Sequence, residues 1–365
     1  MYDYIIVGSG LYGAVCARLL TEAGKHVWVV ERRQHIGGNI YTEEQDGVIV
    51  HKYGAHIFHC SNQKIWDFVN RFSKFSPFIN RPVSIAKGKL YSLPFNMLTF
   101  NQLWGVTSPL EAKKIIEKER IAFDRDPKNL EEQALCLVGP TIYNLLIRGY
   151  TKKQWDKDPK ELPAWIIKRL PLRFTYDNNY FDDTYQGIPE GGYTRMIENL
   201  LNGIRTDTKV DFLHKRYELS SMARNIIYTG ALDEFFDYDI GVLEYRGLRF
   251  ENQLIESDNV LGNAVVNFAD EEVPYTRKIE HRHFAVTRAP VSIVTHEYPQ
   301  AWRPGEIPFY PINSPINMNL HEKYLQRFNR NEGCFCGGRL ADYKYYDMHQ
   351  VVGAAMQFVD RLSVK

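Results

Sequence analysis

The first thirty-one residues place a strand, a glycine-rich turn, a helix, a second strand and an acid in that order. The apolar run Tyr4-Ile5-Ile6-Val7 leads into Gly8-Ser9-Gly10-Leu11-Tyr12-Gly13, and Val27-Trp28-Val29-Val30 ends at Glu31. Glycines in such a turn let backbone amides approach a pyrophosphate, and the following helix points its positive end at that charge. A carboxylate after the second strand can accept hydrogen bonds from a ribose diol. The pattern predicts a Rossmann-like domain that binds an ADP-containing dinucleotide, either FAD or NAD.

Two further glycine pairs favour FAD over NAD. Gly37-Gly38-Asn39 follows Glu31 closely, and the extended body of FAD lies along more backbone than NAD does. Near the C-terminus, Gly337-Gly338-Arg339-Leu340 precedes a stretch from 347 to 362 whose apolar residues recur at helical spacing. A glycine-rich entry into a C-terminal helix would bring a second positive helix end near the flavin.

Length and composition narrow the class of protein. A chain of 365 residues exceeds one core, so two or three substructures are expected, and a formal net charge of +1 gives no reason to expect a nucleic-acid or membrane partner. The five cysteines are an odd number without zinc or redox spacing, so we expect reduced thiols and no metal site. We find neither a secretory signal nor an apolar run of membrane-spanning length, and we expect a cytoplasmic protein.

The distribution of patterns along the chain predicts an α/β protein with a discontinuous Rossmann-like FAD-binding domain, an inserted helical bundle and an antiparallel β-sheet domain. The helical pattern occupies 95–170, where Ser108-Pro109, Asn129-Leu130 and Leu162-Pro163 mark helix starts. The predicted domains are 1–78, 190–240 and 325–365 for FAD; 95–170 for the helices, followed by a mobile loop at 172–186; and 79–94, 171–189 and 241–324 for the sheet.

The chain shows no local signature of a protein nucleophile, so a bound cofactor is expected to make the new bonds. Arg169 and Arg277 stand beside polar and aromatic residues, and guanidinium groups match diphosphate oxygens in a way that lysine cannot. Tyr150 and Trp155 are predicted to stack on a base and a sugar. His56 and His59 are predicted to lie on one strand with both imidazoles on one face, as part of an active-site wall.

These motifs together resemble the UDP-galactopyranose mutase family of the bacterial type over nearly the whole chain. The motifs that carry the resemblance are the glycine turn at 8–13, Arg33 to Asn39, Gly54-Ala55-His56-Ile57-Phe58-His59, Gly149 to Trp155, Glu161-Leu162-Pro163-Ala164, Lys168-Arg169-Leu170-Pro171, Asn179-Tyr180-Phe181, Tyr185-Gln186-Gly187, Val273 to Arg277, Phe309-Tyr310-Pro311 and Gly338 to Met348.

The resemblance implies an isomerase that interconverts UDP-galactopyranose and UDP-galactofuranose through a flavin N5–sugar adduct, with reduced FAD (FADH⁻) and no net redox change. It also implies a homodimer that serves cell-surface polysaccharide biosynthesis. The catalytic residues that it implies are Arg277, Arg169 and His59. The cofactor-binding residues, which include the glycine turn, are Gly8, Gly10, Leu11, Gly13, Glu31, Arg32, Gly38, Asn39, His56, Arg339, Tyr346, Asp347 and Met348. The substrate-binding residues are Asn80, Tyr150, Thr151, Trp155, Arg169, Tyr180, Asn267, Arg277, Tyr310 and Tyr345.

One segment departs from the family pattern. Many members carry aromatic residues near the uracil, where this chain has Leu145-Leu146-Ile147-Arg148, so base stacking is expected to depend more on Tyr150. Tolerance of UDP-N-acetylgalactosamine therefore stays open.

Two other classes of function share some of these features. A flavin oxidoreductase of the amine-oxidase type has the same N-terminal pattern but no diphosphate to bind, and a non-catalytic protein would bind the nucleotide sugar without changing its ring.

The segment 172–186 is expected to close over bound substrate and exclude water.

Overall fold

A computed structural model gives the structure of residues 1–167 and 172–363. The α-helices are α1 (Leu11–Glu22), α2 (Gln63–Asn70), α3 (Met97–Trp104), α4 (Pro109–Glu119), α5 (Leu130–Ile142), α6 (Arg148–Trp155), α7 (Gly192–Leu201), α8 (Arg216–Ser220), α9 (Leu232–Phe235), α10 (Pro315–Phe328) and α11 (Met348–Ser363). The strands are β1 (Tyr2–Val7), β2 (Val27–Glu31), β3 (Thr42–Gln45), β4 (Val48–His51), β5 (Phe58–Cys60), β6 (Phe75–Pro77), β7 (Val83–Ala86), β8 (Lys89–Ser92), β9 (Tyr185–Pro189), β10 (Arg205–Thr208), β11 (Ala223–Tyr228), β12 (Tyr245–Ile255), β13 (Val265–Phe268), β14 (Arg277–Glu280), β15 (Ser292–Ala301), β16 (Tyr310–Pro311) and β17 (Cys334–Cys336).

A parallel sheet with the order β10-β2-β1-β11-β17 forms the Rossmann-like unit. Alternate residues of its strands enter two different cores, because successive side chains of a strand point to opposite faces. Ile6 and Val29 pack with helices α1, α7 and α11, whereas Ile5 and Val30 pack with α10. The sheet is therefore covered on both faces, which explains why its central strands read as continuous apolar runs. The predicted α/β class is confirmed, because parallel strands and helices alternate in this unit.

The first glycine turn is fixed by backbone contact. Gly8 has a φ of +105°, and a Cβ placed on Gly13 would lie 2.0 Å from the carbonyl oxygen of Gly8. Helix α1 can therefore begin directly at the end of β1 only if position 13 has no side chain. The geometry explains the third glycine of the motif by packing, before any ligand is considered.

The second large sheet has the order β16-β12-β15-β14-β13-β7-β8 and is mostly antiparallel. Its longest pairing, β12 with β15, matches Arg246 with Ala301 at one end and Ile255 with Ser292 at the other. The predicted antiparallel sheet is confirmed, with the pair β13–β7 as a parallel exception among its described pairs. A parallel pair needs a long crossover connection, and the whole helical segment lies between these two strands.

Helices α3 to α6 share one core, in which Phe100, Ile116 and Ile142 are buried. The predicted starts of α4 and α5 are confirmed, and the side chain of Asn129 caps α5 by accepting a hydrogen bond from the amide of Glu132. The α-helix predicted from 162 was wrong for 162–167, where the structure has a 3-10 turn, Ala164–Ile166, and residues 168–171 lie outside the described residues. Trp165 in that turn is 45% exposed, whereas Ile166 and Ile167 pack against the core of the helices.

Smaller elements connect these units. The short sheet β5-β9-β6 pairs His59 with Gln186 and so joins the N-terminal segment to the segment that follows the helices. The predicted C-terminal helix is confirmed as α11, and the five cysteines are free thiols. In the part of the chain that the structure describes, we find no helix with the length and apolar character needed to cross a bilayer.

We expect Gly13→Ala to lower the free energy of unfolding by about 1–3 kcal/mol, because the new methyl group would overlap the Gly8 carbonyl. Gly353→Ala is the matched control, since its Cβ would meet only the end of the Ile65 side chain, at 3.2 Å. Denaturant unfolding followed by circular dichroism measures both. Equal stability of the two variants would contradict the packing role of Gly13.

Candidate active site

One cavity of about 860 Å³ runs from the glycine turn to the large mixed sheet. Its floor is formed where β1, β2 and β11 end, with Gly8, Glu31 and Thr229 among the lining residues. Ligands of open parallel sheets bind at this edge, where the helix N-termini also meet. The far wall comes from the mixed sheet and helix α6, with Arg277 and Tyr150. A single cavity thus connects the predicted dinucleotide site to the predicted diphosphate site.

All the residues predicted to bind the cofactor line this cavity. Two close contacts at glycines shape it: a Cβ on Gly38 would lie 3.1 Å from the Cα of Gly10, and a Cβ on Gly337 would lie 2.1 Å from the hydroxyl oxygen of the Tyr12 side chain. The three glycine segments found in the sequence therefore meet at one place. The side chain of Tyr12 packs against Gly337 and Gly338, which leave room for it because they carry no side chain.

The carboxylate of Glu31 is held by the loop around it. Its Oε2 accepts hydrogen bonds from the amide and the hydroxyl of Ser9 at 2.9 and 2.8 Å, and its Oε1 accepts one from the amide of Arg33. A carboxylate can accept about four hydrogen bonds, so capacity for a ribose hydroxyl remains. The Glu31 role predicted from the sequence stays a prediction.

Arg33 provides the test of whether this site fits a phosphate-containing cofactor. Its Nη2 donates to Oδ1 of Asn39 at 2.9 Å, but its buried Nη1 has no hydrogen-bond partner. Burial is the main cause that lowers the pKa of Arg33 below its ordinary value. A buried cationic donor without a partner, beside glycine backbones that approach closely, fits an anionic dinucleotide such as FAD.

Arg277 is the centre of the opposite wall. Its Nε lies 3.0 Å from Oε1 of Glu297, its cross-strand neighbour, and its Nη2 donates to the hydroxyl of Tyr150 at 2.7 Å. Glu297 is buried, whereas the Arg277 side chain keeps 25% of its exposure toward the cavity. Burial alone would lower the pKa of Arg277, but the neighbouring carboxylate raises it above its ordinary value. The guanidinium is thus a permanent cation with one open face.

Tyrosine hydroxyls surround this cation. Tyr180, Tyr310 and Tyr345 all line the cavity, and the rings of Tyr310 and Tyr345 stack with centroids 5.6 Å apart. Burial is the main cause that raises the pKa of Tyr310 above its ordinary value, so its hydroxyl stays a neutral donor. A cation beside neutral donors can bind phosphate oxygens by charge-assisted hydrogen bonds.

Two asparagines face the same space. Asn80 and Asn267 line the cavity, and Oδ1 of Asn267 is buried without a hydrogen-bond partner. An orphaned amide oxygen can accept a hydrogen bond from a sugar hydroxyl.

The two histidines reach the cavity differently from our expectation. The strand β5 begins at Phe58, so His56 lies before it and the prediction of two histidines on one strand was wrong. A spacing of three residues would put them on opposite faces of a strand, and the irregular segment Ala55-His56-Ile57 before β5 allows both to line the cavity. His56 contacts the carbonyl oxygen of Gly54 through Nδ1 at 2.7 Å, and burial lowers its pKa to about 4. His56 is therefore a neutral imidazole.

His59 has partners that sequence reasoning missed. Its Nδ1 lies 2.5 Å from Oδ2 of Asp183, and its ring stacks on Phe181 at 3.7 Å. One nitrogen each of His59 and His349 and one carboxylate oxygen of Asp347 lie within 4.8 Å of one another, a spacing that could also hold a metal ion. The expectation of no metal site stays a prediction. Asp183 and His349 carry no sequence signal of their own, because only the fold brings them to His59.

Three predicted substrate residues need separate description. Thr151 and Trp155 do not line the cavity as the structure describes it; Thr151 is buried, and Trp155 packs against the core of the helices. Successive residues of a helix point in different directions. In α6 the side chain of Tyr150 contacts Arg277, and the side chain of Thr151 points away from the cavity lining. Arg169 lies outside the described residues. The roles of all three stay predictions.

Helix α6 is pinned to the sheet by Lys153, a residue whose role the sequence did not reveal. Its ammonium group donates to the carbonyl oxygens of Phe268, Val273 and Tyr275 at 2.8, 3.1 and 3.0 Å. Gly149 makes the contact possible, because a Cβ there would lie 2.3 Å from the carbonyl oxygen of Ala269. These bonds hold Tyr150 beside Arg277.

Two family models match this chain, one in its N-terminal part and one in its middle and C-terminal part. The family model described as UDP-galactopyranose mutase matches residues 145–345, and one described as an NAD(P)-binding Rossmann-like domain matches 6–72. The chain is 40% identical to a dTDP-fucopyranose mutase from Escherichia coli over 98% of its own length and 97% of that protein. It is also 40% identical to a probable UDP-galactopyranose mutase from Klebsiella pneumoniae over 98% of its own length and 94% of that protein. The crystal structure of a reduced UDP-galactopyranose mutase shares the fold, with a TM-score of 0.74, 14% identity and coverage of 99% of this chain and 94% of that one.

We expect Lys153→Met to weaken UDP binding. The helix that carries Tyr150 would lose three hydrogen bonds to the segment 268–275, which precedes Arg277 in the chain. Stability should also show a pH signature. Burial lowers the pKa of Lys153 to about 8, so the unfolded chain binds its proton between about pH 8 and the ordinary value of 10.5. The native state is therefore favoured as the pH rises through this window.

Denaturant unfolding from pH 7.5 to 10.5 measures the effect as the difference between wild type and Lys153→Met, and this difference should grow with pH. Lys152→Met is the control, since its ammonium pairs with Glu271 at the surface. A difference that does not change with pH would contradict the burial of a charged Lys153.

Proposed function

The chain belongs to the UDP-galactopyranose mutase family, and from this we propose that it interconverts the pyranose and furanose forms of a nucleotide-activated hexose, with UDP-galactose as the first substrate. The observation that supports the proposal is the single cavity that joins the glycine turns to the Arg277 wall. A dinucleotide at one end and a nucleotide sugar at the other would meet inside it. Neither site alone would favour this reaction over simple binding.

We propose reduced FAD as the cofactor, held by the glycine segments, Glu31 and Arg33. When bound, the reduced flavin would supply the nucleophile, N5, for the anomeric carbon, so the sugar would be isomerised without net oxidation. The chain's own residues would bind the cofactor and the nucleotide sugar, orient them toward each other and exclude water. The unpartnered Nη1 of Arg33 supports this placement of the pyrophosphate.

The diphosphate is proposed to lie against Arg277 and the three tyrosines that line the cavity beside it. Negative charge develops on the nucleoside diphosphate as it leaves the sugar, and a preorganised cation lowers the energy of that state. Arg169 is proposed to add a second guanidinium on the basis of the family motif. Tyr150 and Asn267 are proposed to contact the nucleotide and the sugar.

A second substrate, dTDP-fucose, is favoured by a specific observation. The two relatives with 40% identity over nearly full length are named for different nucleotide sugars, one for dTDP-fucopyranose and one for UDP-galactopyranose. The two substrates share the diphosphate and the hydroxyls that exchange in the ring change, but fucose lacks the 6-hydroxyl and thymine adds a methyl group. UDP-N-acetylgalactosamine is a third nucleotide sugar to test.

An oxidoreductase of the amine-oxidase type is the alternative from another class. The cavity wall argues against it, because a fixed cation with surrounding hydroxyl donors has no role toward a neutral amine.

We further propose a cytoplasmic homodimer, as the family resemblance implies. The three discontinuous segments of the FAD domain and closure of 172–186 are also proposals.

The direct test is turnover by purified, dithionite-reduced protein with UDP-galactofuranose, dTDP-fucofuranose and the furanose form of UDP-N-acetylgalactosamine, in separate reactions. We expect the pyranose isomer of one nucleotide sugar to appear on chromatography, with no reductant consumed per turnover. Oxidised protein is the control and should be inactive. Stoichiometric oxidation of an added amine, or binding without isomerisation of any sugar, would refute the proposal.

Arg277→Lys should keep the charge next to Glu297 but lose the guanidinium geometry. We expect kcat/KM to fall by about 10- to 100-fold, because a charge-assisted hydrogen bond contributes about 1.5–3 kcal/mol and lysine cannot replace the planar donor pair. Replacement by alanine is the poorer test, because it leaves the buried Glu297 carboxylate without its partner and damages folding.

Steady-state kinetics with the accepted sugar, together with thermal unfolding, measures the effect of Arg277→Lys. The matched control is Lys278→Arg, on the next residue of the same strand and outside the cavity lining. Unchanged kinetics of Arg277→Lys would remove Arg277 from the diphosphate site.

A further inference from the structure

The isomerisation has a proton requirement that the proposed function leaves unassigned. In the pyranose the ring oxygen is O5 and the 4-hydroxyl carries a proton; in the furanose the ring oxygen is O4 and the 5-hydroxyl carries it. The C1–O5 bond breaks and its electron pair returns to O5, while a lone pair of O4 forms the C1–O4 bond. One proton must therefore move from O4 to O5, and no oxidant or reductant is needed.

We propose that His59 carries this proton and that Asp183 is the positioning residue that fixes the His59 imidazole, with Nδ1 as the hydrogen-bond donor and Nε2 as the proton-transferring nitrogen. The inference rests on the proposed function. Asp183 accepts from Nδ1 at 2.5 Å, and a carboxylate can only accept, so Nδ1 must carry the hydrogen. With the hydrogen on Nδ1, the lone pair that can accept a proton lies on Nε2. This nitrogen can take a proton from one hydroxyl and return it to another.

Asp183 is itself held in place. Its Oδ1 accepts a hydrogen bond from the hydroxyl of Ser61 at 2.7 Å, and its carbonyl oxygen accepts one from Nε2 of Gln186 at 2.9 Å. Partial burial raises the pKa of Asp183, but the hydrogen bonds from His59 and Ser61 lower it further than burial raises it. Asp183 is therefore a carboxylate, and the strand pairing of His59 with Gln186 fixes its backbone next to the imidazole.

Neighbouring groups cover most of the His59 ring and leave its cavity side open. Phe181 covers one face of the ring at an interplanar angle of 10°, and the ring of His349 meets it edge-on at 5.1 Å. Burial is the main cause that lowers the pKa of His349, so its neutral form is favoured beside His59. The carboxylate of Asp347 also lies near His59, and both residues line the cavity. The imidazole is thus oriented by one carboxylate at Nδ1 and open to the cavity.

The test uses Asp183→Asn in the FAD-containing protein. Because Ser61 donates to Oδ1, the new amide group would present its NH₂ to Nδ1 of His59, which must then become the acceptor. The hydrogen moves to Nε2, and the nitrogen that should accept the sugar proton is blocked. The first readout is the tautomer of His59 by ¹⁵N-histidine NMR, with the signal assigned through His59→Gln. It does not depend on turnover.

We expect the Nδ1–H tautomer in the wild type and the Nε2–H tautomer in Asp183→Asn, with kcat lowered at least about 100-fold and the Kd for UDP within threefold of wild type. His59→Gln should lower kcat by a similar factor. Asp182→Asn is the control, because this neighbouring carboxylate contacts Arg173 instead of His59. It should keep the wild-type tautomer.

Two results would overturn the inference while the proposed function stands. One is a wild-type protein that isomerises the sugar with His59 in the Nε2–H form. The other is Asp183→Asn with the changed tautomer but a kcat within threefold of wild type. Absence of turnover in the wild type would instead contradict the proposed function, and this inference with it.

Discussion

The ion pair between Arg277 and Glu297 is the interaction on which the candidate site depends. The two residues are cross-strand neighbours in β14 and β15, so sheet pairing places their side chains side by side before any ligand is present. Glu297 is buried and balances the charge of the guanidinium, which therefore remains a cation while its other face stays open. Thr276 reinforces the arrangement by donating its hydroxyl to Glu297. A bound diphosphate would therefore face a guanidinium group that is already in position and does not have to move on binding.

The same pair also connects the sheet to the helices. Tyr150 accepts a hydrogen bond from Arg277, and the helix that carries Tyr150 is held by Lys153 and by the close contact at Gly149. Each of these contacts uses backbone carbonyls of the segment 268–275, immediately before Arg277. Helix position and guanidinium position are thus coupled through one short piece of chain. A change in this segment would reach the nucleotide side of the cavity without touching a ligand.

The segment that follows the helices contributes to the site in a different way. It runs past the cavity with Tyr180, Phe181 and Asp183, and then becomes a strand paired with β5. Because Asp183 contacts His59, which lies 124 residues earlier, the segment fixes an imidazole that it does not itself contain. The pairing of this segment with β5 thus positions both Asp183 and the imidazole that it contacts.

The sequence by itself determined the Rossmann-like unit, since the spacing of its glycines and apolar runs permits few other folds: Gly13 leaves no room for a side chain, and alternate residues of β1 need burial on both faces. It also placed the glycine segments, Arg277 and the tyrosines at one site through the family motifs. Only the tertiary structure decided which distant groups meet. The pairs Arg277–Glu297 and His59–Asp183, the three carbonyls around Lys153 and the parallel β7–β13 pair all depend on long-range contacts that local patterns do not encode. Trp155 and Thr151 show the same limit, because their place in the motif did not fix the direction of their side chains, which helix packing sets.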